Sequence, residues 1–90
     1  MTTLDLSWVR AQFPALQQSH QGHTPIFFDN PGGTQIARSA VERMTEYLYK
    51  HNANHGGAFA TNVESDAVLE EAHAAMADLL CARHAEEIIF

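Results

Sequence analysis

Two glycine-bearing polar turns, each leading into a helical sequence, constrain this chain more than any other feature. The first runs Phe27-Phe28-Asp29-Asn30-Pro31-Gly32-Gly33-Thr34-Gln35, and the second is His51-Asn52-Ala53-Asn54-His55-Gly56-Gly57. Asn and Gly tolerate positive φ and Pro fixes a bend, so both stretches are turn chemistry. Ile26-Phe27-Phe28, bounded by Pro25 and Asp29, is a run of β-favouring residues and predicts a short buried strand before the first turn.

Helical periodicity supplies the rest. Leu6, Val9 and Phe13 recur at helical spacing and Pro14 stops the ladder, which predicts a helix over about 6–13. The polar stretch 19–25 reads as a loop. A helix over about 38–50 has Val41, Met44 and Leu48 on one face, with Glu42, Arg43 and Glu46 turned away. The Asn/Gly turn then breaks the pattern. A longer helix is predicted over about 62–82, with Thr61 and Glu64 at capping-box spacing and Val68, Ala72, Ala75, Met76 and Leu79 as its inner stripe. Glu86 to Phe90 reads as a second short strand. Two short strands alone are marginal in water, and the pattern does not close on itself. The expectation is therefore a piece of a larger fold.

Composition narrows the partners. Ninety residues allow one small domain, and a hydrophobic fraction of 46% is ordinary for a globular chain. Eleven Asp/Glu against five Lys/Arg give a net charge of −6, with no basic stripe. Such a surface repels nucleic-acid phosphate and anionic membranes. No run approaches the roughly 20 apolar residues of a membrane span. The start of the chain lacks the basic and apolar regions of a signal peptide, so a cytoplasmic location is the expectation.

The residues that bear chemistry have ordinary readings beside functional ones. Lys50 is the only lysine; in the last turn of a predicted helix its cation complements the helix dipole. The His51/His55 and His20/His23 pairs fall short of the three or four ligands of a zinc site, so no metal is expected. Cys81, the one cysteine, reads as a buried structural thiol. Asp29 is either a catalytic carboxylate or a turn-stabilising acceptor. Gly32-Gly33, without a preceding G-x-G, is weak as a phosphate cradle.

Taken in series, Val9-Arg10-Ala11-Gln12-Phe13-Pro14-Ala15-Leu16, Phe28-Asp29-Asn30, Gln35-Ile36-Ala37, Asn52-Ala53-Asn54 and Ala85-Glu86-Glu87-Ile88-Ile89-Phe90 resemble the N-terminal segment of class V aminotransferases, in their cysteine desulfurase-like branch. The resemblance implies an α/β parent of PLP-dependent transferase fold type I, of which residues 1–90 are a mostly helical N-terminal piece with two short strands, ending before the phosphate loop. It implies pyridoxal phosphate (PLP) as the parent's cofactor, an amino acid as substrate and a homodimer as assembly. By resemblance, Asp29, Asn30, Gly32, Gly33 and Thr34 line the substrate side of the cofactor cleft, and the turn with Asn54 and His55 approaches the partner subunit's active site. The catalytic lysine and the pyridinium partner are implied downstream, so the expectation for the 90 residues alone is no catalytic residue, no bound cofactor and no activity.

Two departures widen the implied chemistry. Many cysteine desulfurases have two alanines where this chain has Pro31-Gly32, and a His-Arg pair where it has Gly56-Gly57. Without that arginine the second turn lacks a fixed positive charge, which leaves transamination and elimination open beside desulfuration. The alternative expectation is a stand-alone acidic helical module that binds a protein through its apolar helix faces.

Overall fold

The structure is a computed structural model that describes residues 2–29 and 32–90, so Asn30 and Pro31 of the first turn lie outside the described residues. The chain divides into two compact units, Met1–Thr45 and Glu46–Phe90.

In the first unit, helix α1 spans Leu6–Ala11 and is capped by Asp5, whose carboxylate accepts the Trp8 N–H at 3.0 Å. An Asp at this position satisfies a donor that the helix itself leaves open. The helix stops two residues short of the predicted end. Pro14, which lacks an N–H, begins a 3₁₀ turn over Pro14–Gln17 instead. The chain then reverses through Gln21-Gly22, both at positive φ, with His20 and His23 exchanging backbone hydrogen bonds of 2.9 and 3.0 Å. Helix α2, Arg38–Glu46, is tied back to the end of α1 by the Arg38 N–H donating to the Gln12 carbonyl at 2.8 Å.

The second unit opens with a wide π-type turn, Tyr47–His51. An irregular segment leads to helix α3, Ala60–Leu80, which is the longest element. Its N-cap is Phe59, which offers no side-chain acceptor. The expected capping box therefore does not form. Thr61 already lies inside the helix, and Glu64 turns to His51. Helix α3 ends at Cys81, in the left-handed conformation with φ of 54°. Closure there comes from Ala82 donating to the Ala77 carbonyl at 2.9 Å. Cys81 is exposed, contrary to the expected buried thiol, because a C-cap residue points off the end of the helix face.

Neither expected strand is formed among the described residues. Residues 26–28 carry no regular secondary structure and no ladder partner among the described residues, and Phe28 is 96% exposed. Ala85–Glu87 is a 3₁₀ turn rather than the start of a strand. Its cause is local: the Glu87 carboxylate accepts the N–H groups of Arg83 and His84 at 2.9 and 3.3 Å, which folds the segment back on itself. A strand without a partner leaves its backbone groups unpaired, so a locally satisfied turn wins.

Packing is sparse. Ala77 is the one buried hydrophobic residue among those described, while Val41, Met44, Leu48 and Leu79 of the expected inner stripes are exposed. Val68 and Met76 on α3 and Ile88 beyond it are half-buried. Full burial of a large aliphatic side chain stabilises by about 1.5–3 kcal/mol, and a domain stands on about 5–15 kcal/mol. So few buried side chains do not supply that margin. We expect the 90-residue chain in isolation to show a helical far-ultraviolet circular dichroism signal with a broad melt, or to self-associate. A sharp, concentration-independent melt of a monomer would contradict this.

Candidate functional site

Asp29, Gly32, Gly33 and Thr34 of the first turn are all exposed. Gly33 has φ of 134°, a conformation that side-chain-bearing residues rarely adopt, and a Cβ there would meet nothing within 4 Å. Backbone geometry, not crowding, requires glycine at this position. Thr34 also lines an open groove of about 500 Å³ with Arg10, Phe13, Leu16, Ile26 and Phe27, all in the first unit. The groove is mainly apolar with one guanidinium at its wall.

The second turn is held in place by α3. Three polar side chains on the first two turns of that helix, Asn62, Ser65 and Asp66, face the segment 53–56. Asn62 Nδ2 donates to the Asn54 carbonyl at 2.6 Å. Ser65 is fully buried, and its hydroxyl donates to the Ala53 carbonyl at 3.3 Å. Since that hydroxyl has a single proton, Tyr47 must be the donor in the 2.9 Å contact between Tyr47 Oη and Ser65 Oγ. Asp66 accepts the Gly56 N–H on both oxygens, at 3.3 and 3.2 Å, and contacts His55 Nδ1 at 2.6 Å. His51 Nδ1 lies 2.9 Å from Glu64 Oε2. A fully satisfied polar set of this kind fixes a loop without an apolar core beneath it.

Gly57 completes the arrangement. A Cβ built on it would overlap the Asn62 carboxamide, coming within 2.6 Å of Nδ2. Asn62 therefore occupies the space that any side chain at position 57 would need. Asn54 and His55 thus sit on one turn anchored by α3. The periodicity of apolar residues did not find Asn62, Ser65 and Asp66. Their own spacing, i, i+3 and i+4 directly after an Asn/Gly turn, was the available signal.

Other candidates take the ordinary reading. Lys50 Nζ pairs with Glu46 at 3.3 Å across one turn, on an exposed face. His51 and His55 engage different carboxylates, Glu64 and Asp66. No helix among the described residues is long and apolar enough to cross a membrane.

Comparison with known proteins gives the class. The family model for class-V aminotransferases matches residues 26–90. A probable cysteine desulfurase of Streptomyces coelicolor is 34% identical over 89 residues, covering 97% of this chain and 21% of that protein. A probable cysteine desulfurase of Vibrio cholerae is 32% identical over 88 residues, covering 97% of this chain and 22% of its own length. An aminotransferase-like protein of Gibberella zeae is 35% identical over 85 residues, or 90% of this chain and 20% of its own. No solved structure matches significantly. The chain belongs to the class V aminotransferase family, and it spans about one fifth of the length of the curated relatives it matches.

Enzymes of this family work with PLP, which needs a lysine for the Schiff base and a carboxylate for the pyridine nitrogen, both in one cleft. The residues described here do not fit that group. The single lysine is on an exposed helix turn, already paired with Glu46. What the chain offers is two turns, one open and one anchored.

The Gly57–Asn62 contact is testable. Gly57→Ala should displace the Asn62 carboxamide, break its bond to Asn54 and weaken the loop by roughly 1–3 kcal/mol. The change would be read as faster amide exchange over residues 53–57. Gly32→Ala, where a Cβ meets nothing within 4 Å, should leave that exchange unchanged.

Proposed function

We propose that residues 1–90 are the N-terminal segment of a cytoplasmic, homodimeric, PLP-dependent enzyme of the cysteine desulfurase-like branch that acts on an amino-acid substrate. In that enzyme the segment shapes the substrate cleft and carries no covalent step. The observation that carries this reading is the hydrogen-bonded turn 53–57, held by Asn62, Ser65 and Asp66 at the place where the family resemblance puts an active-site turn. Positioning of reacting groups is worth many orders of magnitude in rate, and it requires a fixed turn.

Within this reading the first turn, Asp29 to Thr34 with Asn30 included, presents backbone N–H groups to the substrate carboxylate, as glycine-bearing turns do. Asn54 and His55 reach toward the partner subunit's active site. The PLP, when bound, serves as the electron sink for the substrate's α-carbon. The space beside Gly57 is filled by the neutral Asn62 carboxamide, so the second turn brings no fixed cation to an anionic persulfide. Transamination and elimination therefore stand beside desulfuration, the activity in the names of relatives of the chain.

Two measurements test the reading. Incubated with PLP and reduced with borohydride, the 90-residue chain should gain no stoichiometric adduct at Lys50. A specific Lys50 adduct would overturn the assignment of the lysine to another part of the enzyme. In the full enzyme, Gly33→Val should lower kcat/KM about tenfold or more with a smaller change in melting temperature, because it strains a positive-φ turn and fills its open face. An equally active variant would place this turn away from the cleft.

A further inference from the structure

The imidazole of His55 and the carboxylate of Asp66 meet at 2.6 Å, yet the two residues differ sharply in exposure. The His55 side chain is 81% exposed, whereas that of Asp66 is 23% exposed. Asp66 is occupied on both oxygens by the Gly56 N–H, so its carboxylate is fixed from the turn side before the imidazole is considered. A carboxylate only accepts, so the nitrogen facing it must carry the proton. Which ring nitrogen carries the proton is set by the bond the other one makes.

We infer that Asp66 is a positioning residue that holds His55 in the Nδ1–H tautomer, leaving Nε2 as an unprotonated acceptor on the solvent side of the turn. This inference rests on the proposed placement of the 54–57 turn at an active site only for its catalytic consequence; the tautomer itself follows from the contacts within the chain. The arrangement has the parts of an oriented base: a carboxylate, an imidazole bonded through one nitrogen, and a second nitrogen free to take a proton or a hydrogen bond from a ligand. His55 and Asp66 also border an open groove of about 500 Å³ with Leu69, His73 and Ile88 along it. Glu70 and Glu86 complete its lining with Ala85, so the groove carries carboxylates as well as apolar side chains. The matching class of ligand is one that donates a hydrogen bond to Nε2.

His51 and Glu64 serve as an internal contrast. Their contact is longer, at 2.9 Å, Glu64 is exposed, and among the described residues no backbone N–H reaches its carboxylate. The pair lacks the second anchor that makes Asp66 a fixed partner.

The test is long-range ¹H–¹⁵N correlation of the imidazoles in the full enzyme, with the rings neutral and the His55 signals assigned by their loss in His55→Ala. His55 should show the Nδ1–H pattern, while the exposed His20 and His23 rings, which have no side-chain partner among the described residues, should not. Asp66→Asn should reverse the His55 pattern to Nε2–H, since the amide can donate to Nδ1. His55 already in the Nε2–H form in the unaltered chain, or unchanged in Asp66→Asn, would overturn the inference. Asp66→Ala adds a measurement that does not depend on tautomer: amide exchange at Gly56 should rise in it but not in His55→Ala. In the full enzyme, Asp66→Asn should lower kcat by about tenfold or more with little change in KM, and Asp66→Glu should recover part of the loss. An unaffected kcat beside a confirmed tautomer would refute the placement of the turn at the active site and leave the His55–Asp66 geometry standing.

Discussion

The polar face on the first two turns of α3 is the element on which the second half of the molecule depends. Asn62, Ser65 and Asp66 recur at helical spacing and are directed at a loop, where an amphipathic helix would ordinarily present leucines to a core. Each bond contributes only about 0.5–1.5 kcal/mol net. Their strength lies in number and in closure. The carbonyls of Ala53 and Asn54 and the N–H of Gly56 are all satisfied by side chains of one rigid helix, and the described residues contain no buried side-chain polar atom without a partner. Removing one member would leave the others half-satisfied, which is why such a set behaves as a unit.

The sequence made the helices and turns legible, because their signals are local. The Leu6, Val9 and Phe13 spacing, Pro14 after Phe13, and the Asn/Gly clusters each act within one or two turns of backbone. Strands are different, since a strand is defined by its partner. Ile26-Phe27-Phe28 and Glu86 to Phe90 have strand-favouring composition, yet neither acquires a ladder, and Glu87 closes a 3₁₀ turn with its own neighbours. The inner stripe of α3 was misjudged for a related reason. Apolar spacing pointed to Leu79, which is 74% exposed, while the residues that are buried deepest at the N-terminal end of the helix are the polar Asn62 and Ser65. Burial of a polar residue follows from its hydrogen-bond partners, and those lie eight to eighteen residues away in sequence.

The candidate site was half legible. Composition and spacing marked both turns, and the family resemblance named Asn54 and His55. Nothing in apolar periodicity marked Asp66, although it is the residue that fixes His55. The glycines show a similar division. Gly33 is required by its own φ, which turn chemistry anticipates. Gly57 is required by the side chain of Asn62, five residues on, which only the folded arrangement reveals.

The contrast between the two turns bears on how such a segment can contribute to catalysis. In the first turn Gly32 and Gly33 are exposed, and Gly33 lies at positive φ. The second is pinned at three successive points by a helix that ends in a locally closed C-cap. An exposed glycine-bearing turn leaves room for a ligand; a turn held at several points can orient one, because rearranging it breaks several bonds. Orientation of a base demands the latter, and it is there that the chain places its histidine–carboxylate pair with a backbone anchor. The low burial of the surrounding apolar residues does not weaken this argument. The fixed geometry of His55 is set by contacts among residues 53–66, all within one helix and the turn before it, and it does not rest on the packing of Val41, Met44 or Leu79.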